Sequence, residues 1–245
     1  MDYRKYHLGV KEKLLCLAAG SALNGIIAWL FYRSLWGIVL APAVYIVCRR
    51  RYEEMQQRKR TEKLLGEFKD TMQAVSAALL AGYSMENSWR EAEKELFSLH
   101  GKDCLMLAEV HRMNEAVRMN EPLEKALGEF AERSGCEEIE SFAEVFSFAK
   151  RSGGDFARII RTTTQKLIGR MEVEREIATV LAGKKLEGRI MNVMPLGILA
   201  YLTFTSGDFL EVLYGNVLGI VIMSTALGIY LAAIKLSEHI LDIQV

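Results

Sequence analysis

The sequence predicts an all-α integral membrane protein in which four transmembrane helices flank a cytoplasmic six-helix bundle. Charge segregation is the first reason. The 245 residues hold 31 Lys+Arg and 31 Asp+Glu, of which 25 of each sign fall between Arg49 and Arg189, leaving six of each for the other 104 residues. A charge at the bilayer centre costs roughly 2.5–3.5 kcal/mol on insertion scales, so apolar ends around a charged middle fit membrane segments around a water-exposed domain. The second reason is that the ends hold uncharged runs of spanning length, and the third is that the middle is apolar at helical spacing with no strand-like alternation.

Residues 14–32, "LLCLAAGSALNGIIAWLFY", are uncharged and close to the ~20 residues needed to cross a ~30 Å hydrocarbon core. A cleavable signal peptide is the competing reading, but its apolar region usually runs about 7–15 residues and this one continues past "AAGSA" to Tyr32. Residues 35–48, "LWGIVLAPAVYIVC", are shorter, and on length alone equally suit an interfacial or re-entrant segment. The cluster of Trp29, Phe31, Tyr32 and Trp36 around Arg33 favours a second span, because aromatic rings prefer the headgroup level. Residues 190–206 and 212–234 form a second uncharged pair, separated by Asp208 and Glu211.

Basic residues set the orientation. Arg4, Lys5, Lys11 and Lys13 precede the first run, "RRRYEEMQQRKR" follows the second, Lys184, Lys185 and Arg189 precede the third, and Lys235 follows the fourth. By the positive-inside rule both termini and the middle lie in the cytoplasm, and Lys184, Lys185 and Arg189 mark a membrane boundary. The expected organisation is a transmembrane hairpin over 1–48, a basic juxtamembrane linker over 49–62, a helical bundle over 63–186, and a second hairpin with a short tail over 187–245. The linker's cations suit anionic lipid as a topology anchor. In this topology Cys104 and Cys136 face a reducing compartment and Cys16 and Cys48 lie within spans, which favours free thiols.

In the middle, apolar residues recur as Leu64, Phe68, Met72, Val75 and Leu79, then Leu107, Val110 and Val117, then Ile139, Phe142, Phe146 and Ala149. Breaks fall at 81–84, 99–103, 119–122, 133–138 and 151–155, each carrying Gly, Asn or Pro where helices end and Ser, Asn or Asp where they start. Six helices result, with turns expected at Gly82, Pro122, Gly153 and Gly154. The last begins near Asp155 and meets no breaker before Gly183, so it is expected to continue into the third span. Two helix starts, "YSMENSWREA" at 83 and "EPLEKALGEF" at 121, echo each other. Internal repetition and the convergence of ordinary helix starts explain that echo equally well.

Phosphate-loop, H-E-x-x-H and G-x-S-x-G signatures are absent from the sequence. His100 and His111 have no Cys or second His at ligand spacing and read as surface or satisfied core histidines. "RSGGD" could cradle an anion, but two glycines ending one helix and Asp155 capping the next is the simpler account. The expectation is no enzyme activity, no metal, no cofactor and no nucleic-acid partner.

The order of parts resembles the type II secretion system F family, in particular the single-bundle platform proteins of Tad (tight adherence, Flp-type) pilus assembly, of the TadB and TadC kind. The residues that carry this are "LLAGYSMENSWREA", "NEPLEKALGEFAERSG", "RSGGDFARII", "EREIATVLAGKKLEGRIMNVMP" and, at its end, Pro195. Asn120 stands where the family pattern commonly has glycine. The resemblance implies a non-enzymatic, oligomeric platform in the cytoplasmic membrane. Its implied partners are a hexameric TadA-like secretion ATPase, a second TadB/TadC-like platform subunit, and pilins as cargo. A membrane-anchored adaptor or sensor is the alternative, and a small transporter is disfavoured by the lack of ionisable residues in the spans. The ATPase contact is expected on the acidic segment 121–144, where eight glutamates, Glu137, Glu138 and Glu140 among them, oppose Lys125 and Arg133. The stretch 150–175 is basic by comparison, with seven cations against three anions. Adjacent patches of opposite sign can orient a partner, although solvated helix faces often look the same.

Overall fold

The computed structural model describes residues 3, 8–31, 41–152, 156–205 and 216–241. These residues form eight α-helices and one 3-10 turn, with no strand among them. In chain order they are α1 (Val10–Phe31), α2 (Ala41–Leu80), α3 (Met85–His100), the 3-10 turn Gly101–Asp103, α4 (Leu105–Arg118), α5 (Leu123–Ser134), α6 (Glu137–Ser152), α7 (Phe156–Thr205) and α8 (Val217–Leu241). The chain divides into two compact units, Met1–His7 with Glu53–Glu172, and Leu8–Tyr52 with Val173–Val245.

Helix ends follow local chemistry at the expected breaks. Gly82, at φ 87°, follows α2, and the Tyr83 N–H donates back to the Ala78 carbonyl at 3.1 Å. That six-residue closure with a left-handed residue is the Schellman arrangement. Ser84 then caps α3, its hydroxyl oxygen accepting the Asn87 N–H. Pro122 sits at the cap position of α5 with φ −62°, one residue before the first helical residue, and its carbonyl accepts the Lys125 N–H at 3.0 Å. Gly153 and Gly154 lie outside the described residues.

The end of α4 accounts for the departure at Asn120. The Glu121 N–H reaches the Ala116 carbonyl at 2.9 Å, a second Schellman closure, with Asn120 at φ 63°. Left-handed backbone costs most L-residues about 1–2 kcal/mol, while glycine is free there and asparagine is partly relieved. Asn120→Ala should therefore lower stability by about 1 kcal/mol and Asn120→Gly should hold or raise it, measured by urea unfolding. A neutral alanine variant would show that this turn is not under backbone constraint.

Residues 49–62, expected as a linker, are helical throughout and belong to the 40-residue α2. "RRRYEEMQQRKR" contains neither Gly nor Pro and is rich in straight-chain helix formers, so nothing local interrupts the helix. The 50-residue α7 likewise runs through Gly183 and through Pro195. An interior proline removes one backbone hydrogen bond, a defect that membrane helices tolerate through neighbouring groups.

In the first unit α3 packs on α4, α4 on α5 and α5 on α6. Leu64, Phe68, Met72, Val75, Val110, Ile139, Phe142, Phe146 and Ala149 are buried as the periodicity expects, and Leu107 and Val117 pack against the same core. An aromatic chain runs through it. Phe68 meets Phe142 edge-on at 5.6 Å, Trp89 meets Phe146 edge-on at 6.4 Å, and Phe146 meets Phe156 of α7 edge-on at 5.3 Å.

The echoed helix starts extend into a matching burial pattern. Ser88, Trp89, Ala92 and Leu96 of α3 are buried, and so are Ala126, Leu127, Phe130 and Ser134 at the corresponding positions of α5. Met106, Glu109, Val110 and Met113 of α4 correspond in the same way to Ile139, Phe142, Ala143 and Phe146 of α6. The hairpins α3–α4 and α5–α6 thus repeat one core pattern.

In the second unit Leu30, Phe31, Met223 and Leu227 form a small core, packed by Leu196, Leu199, Ala200 and Tyr230. Trp29 meets Phe204 at 5.5 Å, and the Tyr230 hydroxyl donates to the Asn192 carbonyl. A Cβ on Gly20 would meet the Tyr45 backbone at 3.6 Å. Two described helical stretches, Val10–Phe31 and Leu218–Ser237, are long and apolar enough to cross a membrane. The expected span 35–48 is described only from residue 41, at the start of α2, and the expected span 190–206 corresponds to the end of α7.

Candidate interaction surfaces

The acidic segment is built on the buried stripe of α6. Ile139, Phe142 and Phe146 face the core, which leaves Glu137, Glu140 and Glu144 exposed and Glu138 half-buried. Carboxylates in a first helical turn also sit favourably against the helix dipole, so their presence needs no partner to explain it. Ion pairing thins the rest of the segment. Lys125 holds Glu121 at 2.6 Å and Glu129 at 3.9 Å, and Lys150 reaches from α6 to Glu124 of α5 at 2.6 Å. Among the described residues, Glu137, Glu138 and Glu140 make no ion pair. The neighbouring Cys136 thiol is pushed up to about 11, by burial first and then by the charges of Glu138 and Glu140.

On α7, Arg161, Lys166 and Arg175 are exposed, while Lys69 of α2 bridges to Glu172 at 3.2 Å. Asp155 lies outside the described residues. In the second unit Lys184, Lys185 and Arg189 are exposed positions of α7, and Lys184 pairs with Glu187 at 3.0 Å. Arg189 edges an open apolar groove of about 620 Å3 that continues over Ile190, Val193, Met194, Gly197, Ile198 and Tyr201. Charge therefore gives way to an apolar face within one helical turn.

A further surface escapes the sequence reading. An open groove of about 810 Å3 runs between α3 and α4, lined among others by Tyr83, Arg90, Lys94, Phe97, Lys102 and His111. Phe97 is 52% exposed and Tyr83 49%, so two aromatic faces stand in water. Lys94 pairs with Glu91 at 2.6 Å. Glu93 bonds His111 Nδ1 at 2.7 Å and accepts from the Asn114 amide at 2.6 Å. Among the described residues Arg90 and Lys102 make no ion pair, so the groove is basic. A signal was available, since Phe97 lies just off the buried Trp89, Ala92, Leu96 stripe.

Buried polar groups do structural work nearby. Glu109 of α4 accepts the Tyr3 hydroxyl at 3.1 Å and an Arg133 N–H at 2.8 Å, while the Tyr3 N–H donates to the Arg133 carbonyl at 3.0 Å. The Arg60 guanidinium lies 5.0 Å over the Tyr3 ring. His100 bonds Asp70 at 2.8 Å. Among the described residues no three metal-ligating side chains converge, and all four cysteines are free thiols.

No family model matches this chain, and neither a curated protein nor a solved structure is similar to it.

Proposed function

We infer that the chain is a multi-pass platform protein of the cytoplasmic membrane, of the type II secretion system F and Tad pilus kind, that couples a cytoplasmic secretion ATPase to the extraction and assembly of pilins. One observation carries the reading: an all-helical unit over Glu53–Glu172 lies in sequence between two apolar helices of spanning length, α1 and the Leu218–Ser237 stretch of α8. The motif resemblance at 79–92, 120–135, 151–160 and 174–195 supplies the family. In this reading the segment 35–48 and the end of α7 are two further spans, both termini and the bundle are cytoplasmic, and Lys184, Lys185 and Arg189 hold the inner edge of the third span. A second platform subunit and the pilins are partners on the membrane side. The ATPase docks on the first turn of α6, where Glu137, Glu138 and Glu140 present carboxylates that no ion pair among the described residues neutralises.

The expected result of reversing Glu137, Glu138 and Glu140 to Lys is about tenfold weaker binding of the cognate secretion ATPase to the full chain in nanodiscs. The loss should be greatest at low salt, with helical content unchanged. Equal affinity of wild type and variant at both low and high salt would remove the ATPase contact from this turn.

A further inference from the structure

The groove on α7 begins at two cations that have no anion of their own. Lys184 is paired with Glu187 at 3.0 Å, while Lys185 and Arg189 form no ion pair among the described residues. Four residues apart, they are neighbours on one face of the helix, and Glu187, two residues from each, falls on the opposite side. From Arg189 the groove runs over Ile190, Met194, Ile198 and Tyr201, and every residue that lines it is exposed and belongs to α7. Between Arg189 and Tyr201 the helix rises about 18 Å, close to the ~15 Å of hydrocarbon in a single leaflet. Gly197 notches the floor of the groove, since a Cβ there would meet nothing within 4 Å. Apart from Arg189 at one end and the Tyr201 hydroxyl at the other, the lining is apolar.

We propose that this face of α7 holds one anionic phospholipid, its phosphate on Lys185 and Arg189 and one acyl chain laid along the groove through the Gly197 notch. Charge complementarity selects the headgroup. A guanidinium meets phosphate oxygens through paired N–H donors and an ammonium adds a point charge, so the two cations together favour a headgroup with net negative charge. A zwitterionic headgroup brings its own cation and compensates them less. Shape selects the chain, because a polymethylene strand is narrow enough to lie in a notch one residue wide, whereas a partner's helix, about 10 Å across, would bridge it and would need a carboxylate at the membrane edge to answer Arg189. The site rests on the reading of the end of α7 as a membrane span and gives the cationic edge of that span a specific ligand in place of a general attraction to the bilayer surface.

The test titrates the full chain, purified in a non-ionic detergent and stripped of lipid, with phosphatidylglycerol or with phosphatidylcholine of the same acyl chains, and counts retained lipid by native mass spectrometry. Wild type should hold one phosphatidylglycerol about tenfold more tightly than phosphatidylcholine. K185Q/R189Q should bring the two lipids to equal, weak retention, and G197L, which fills the notch, should weaken phosphatidylglycerol severalfold. Excess glycerol 3-phosphate, a headgroup without chains, should not displace the lipid. Circular dichroism checks folding, and R189Q and G197A carry the same comparisons should the larger changes lose helical content. Equal retention of both lipids by wild type would overturn the proposal, as would a preference that the charge variants leave intact or displacement by glycerol 3-phosphate. Unchanged retention in the Gly197 variants would also overturn it and would leave the notch to a partner's helix. Alkaline carbonate washing of membranes separates this failure from that of the span itself: a chain released by the wash loses both the span and the site, while a chain that stays in the membrane without lipid preference loses the site alone.

Discussion

Trp89→Ala is expected to destabilise the bundle by roughly 3–5 kcal/mol, enough to take up much of the 5–15 kcal/mol that holds an ordinary domain together. The indole is fully buried and meets Phe146 edge-on at 6.4 Å. Phe146 in turn packs on Phe142 at 6.1 Å and on Phe156 at 5.3 Å. Truncation would remove the largest side chain in the core and open a cavity among rings from α3, α6 and α7. Trp89→Phe should cost far less, because it keeps most of the volume and deletes an Nε1 donor that is buried without a partner among the described residues. Urea unfolding followed by circular dichroism separates the two. An alanine variant within ~1 kcal/mol of wild type would mean that this core can collapse around the loss.

Glu109→Ala comes next, with an expected loss of about 2–3 kcal/mol. The Glu109 side chain is 5% exposed and holds both Arg133 and the Tyr3 hydroxyl. Removing one member of a buried ion pair leaves the other charge uncompensated, which usually costs 3–5 kcal/mol. Arg133 is 28% exposed and recovers part of that from water, hence the lower figure. Glu109→Gln should fall between, since its amide oxygen can still accept one hydrogen bond while the charge is gone. Tyr3→Phe deletes a single hydrogen bond and should cost about 1 kcal/mol. An alanine variant as stable as the Tyr3→Phe variant would show that the Arg133 pair contributes nothing net.

Four of the helix breaks, at 81–84, 99–103, 119–122 and 133–138, were legible because each turns on residues with few conformational options: Gly82, Gly101, Asn120 and Gly135 at positive φ, Pro122 with φ already set, Ser84 with a hydroxyl in reach of the first turn. The α6 stripe was legible because Ile139, Phe142, Phe146 and Ala149 recur once per turn with charge between them. The long α2 was less so, since a charge-dense stretch such as 49–62 reads as a boundary by composition even though every residue in it tolerates a helix. The anchoring of Tyr3 lay out of reach, because its partner Glu109 is 106 residues away and no local pattern links them. Glu67 and Glu109 could have been flagged, since each interrupts an apolar stripe where a carboxylate is expensive unless paired. The groove was missed because a half-exposed Phe97 looks like any scattered surface hydrophobe until α4 is set beside α3.

One of those carboxylates also governs how the bundle holds together as it forms. The first turn of α4 is closed weakly from its own side, where the Cys104 sulfur accepts the Leu107 N–H at 3.3 Å. The stronger closure comes from α2, whose buried Glu67 accepts the Met106 N–H at 2.9 Å across 39 residues of sequence. Helix α4 borrows its start from a distant helix, so the α3–α4 hairpin is incomplete until α2 has docked. A hairpin that repeats its neighbour's core pattern is therefore no independent folding unit, and the gain from ordering α4 arrives together with the closing of that loop. Cooperativity in this unit rests on a shared polar contact as well as on its apolar core.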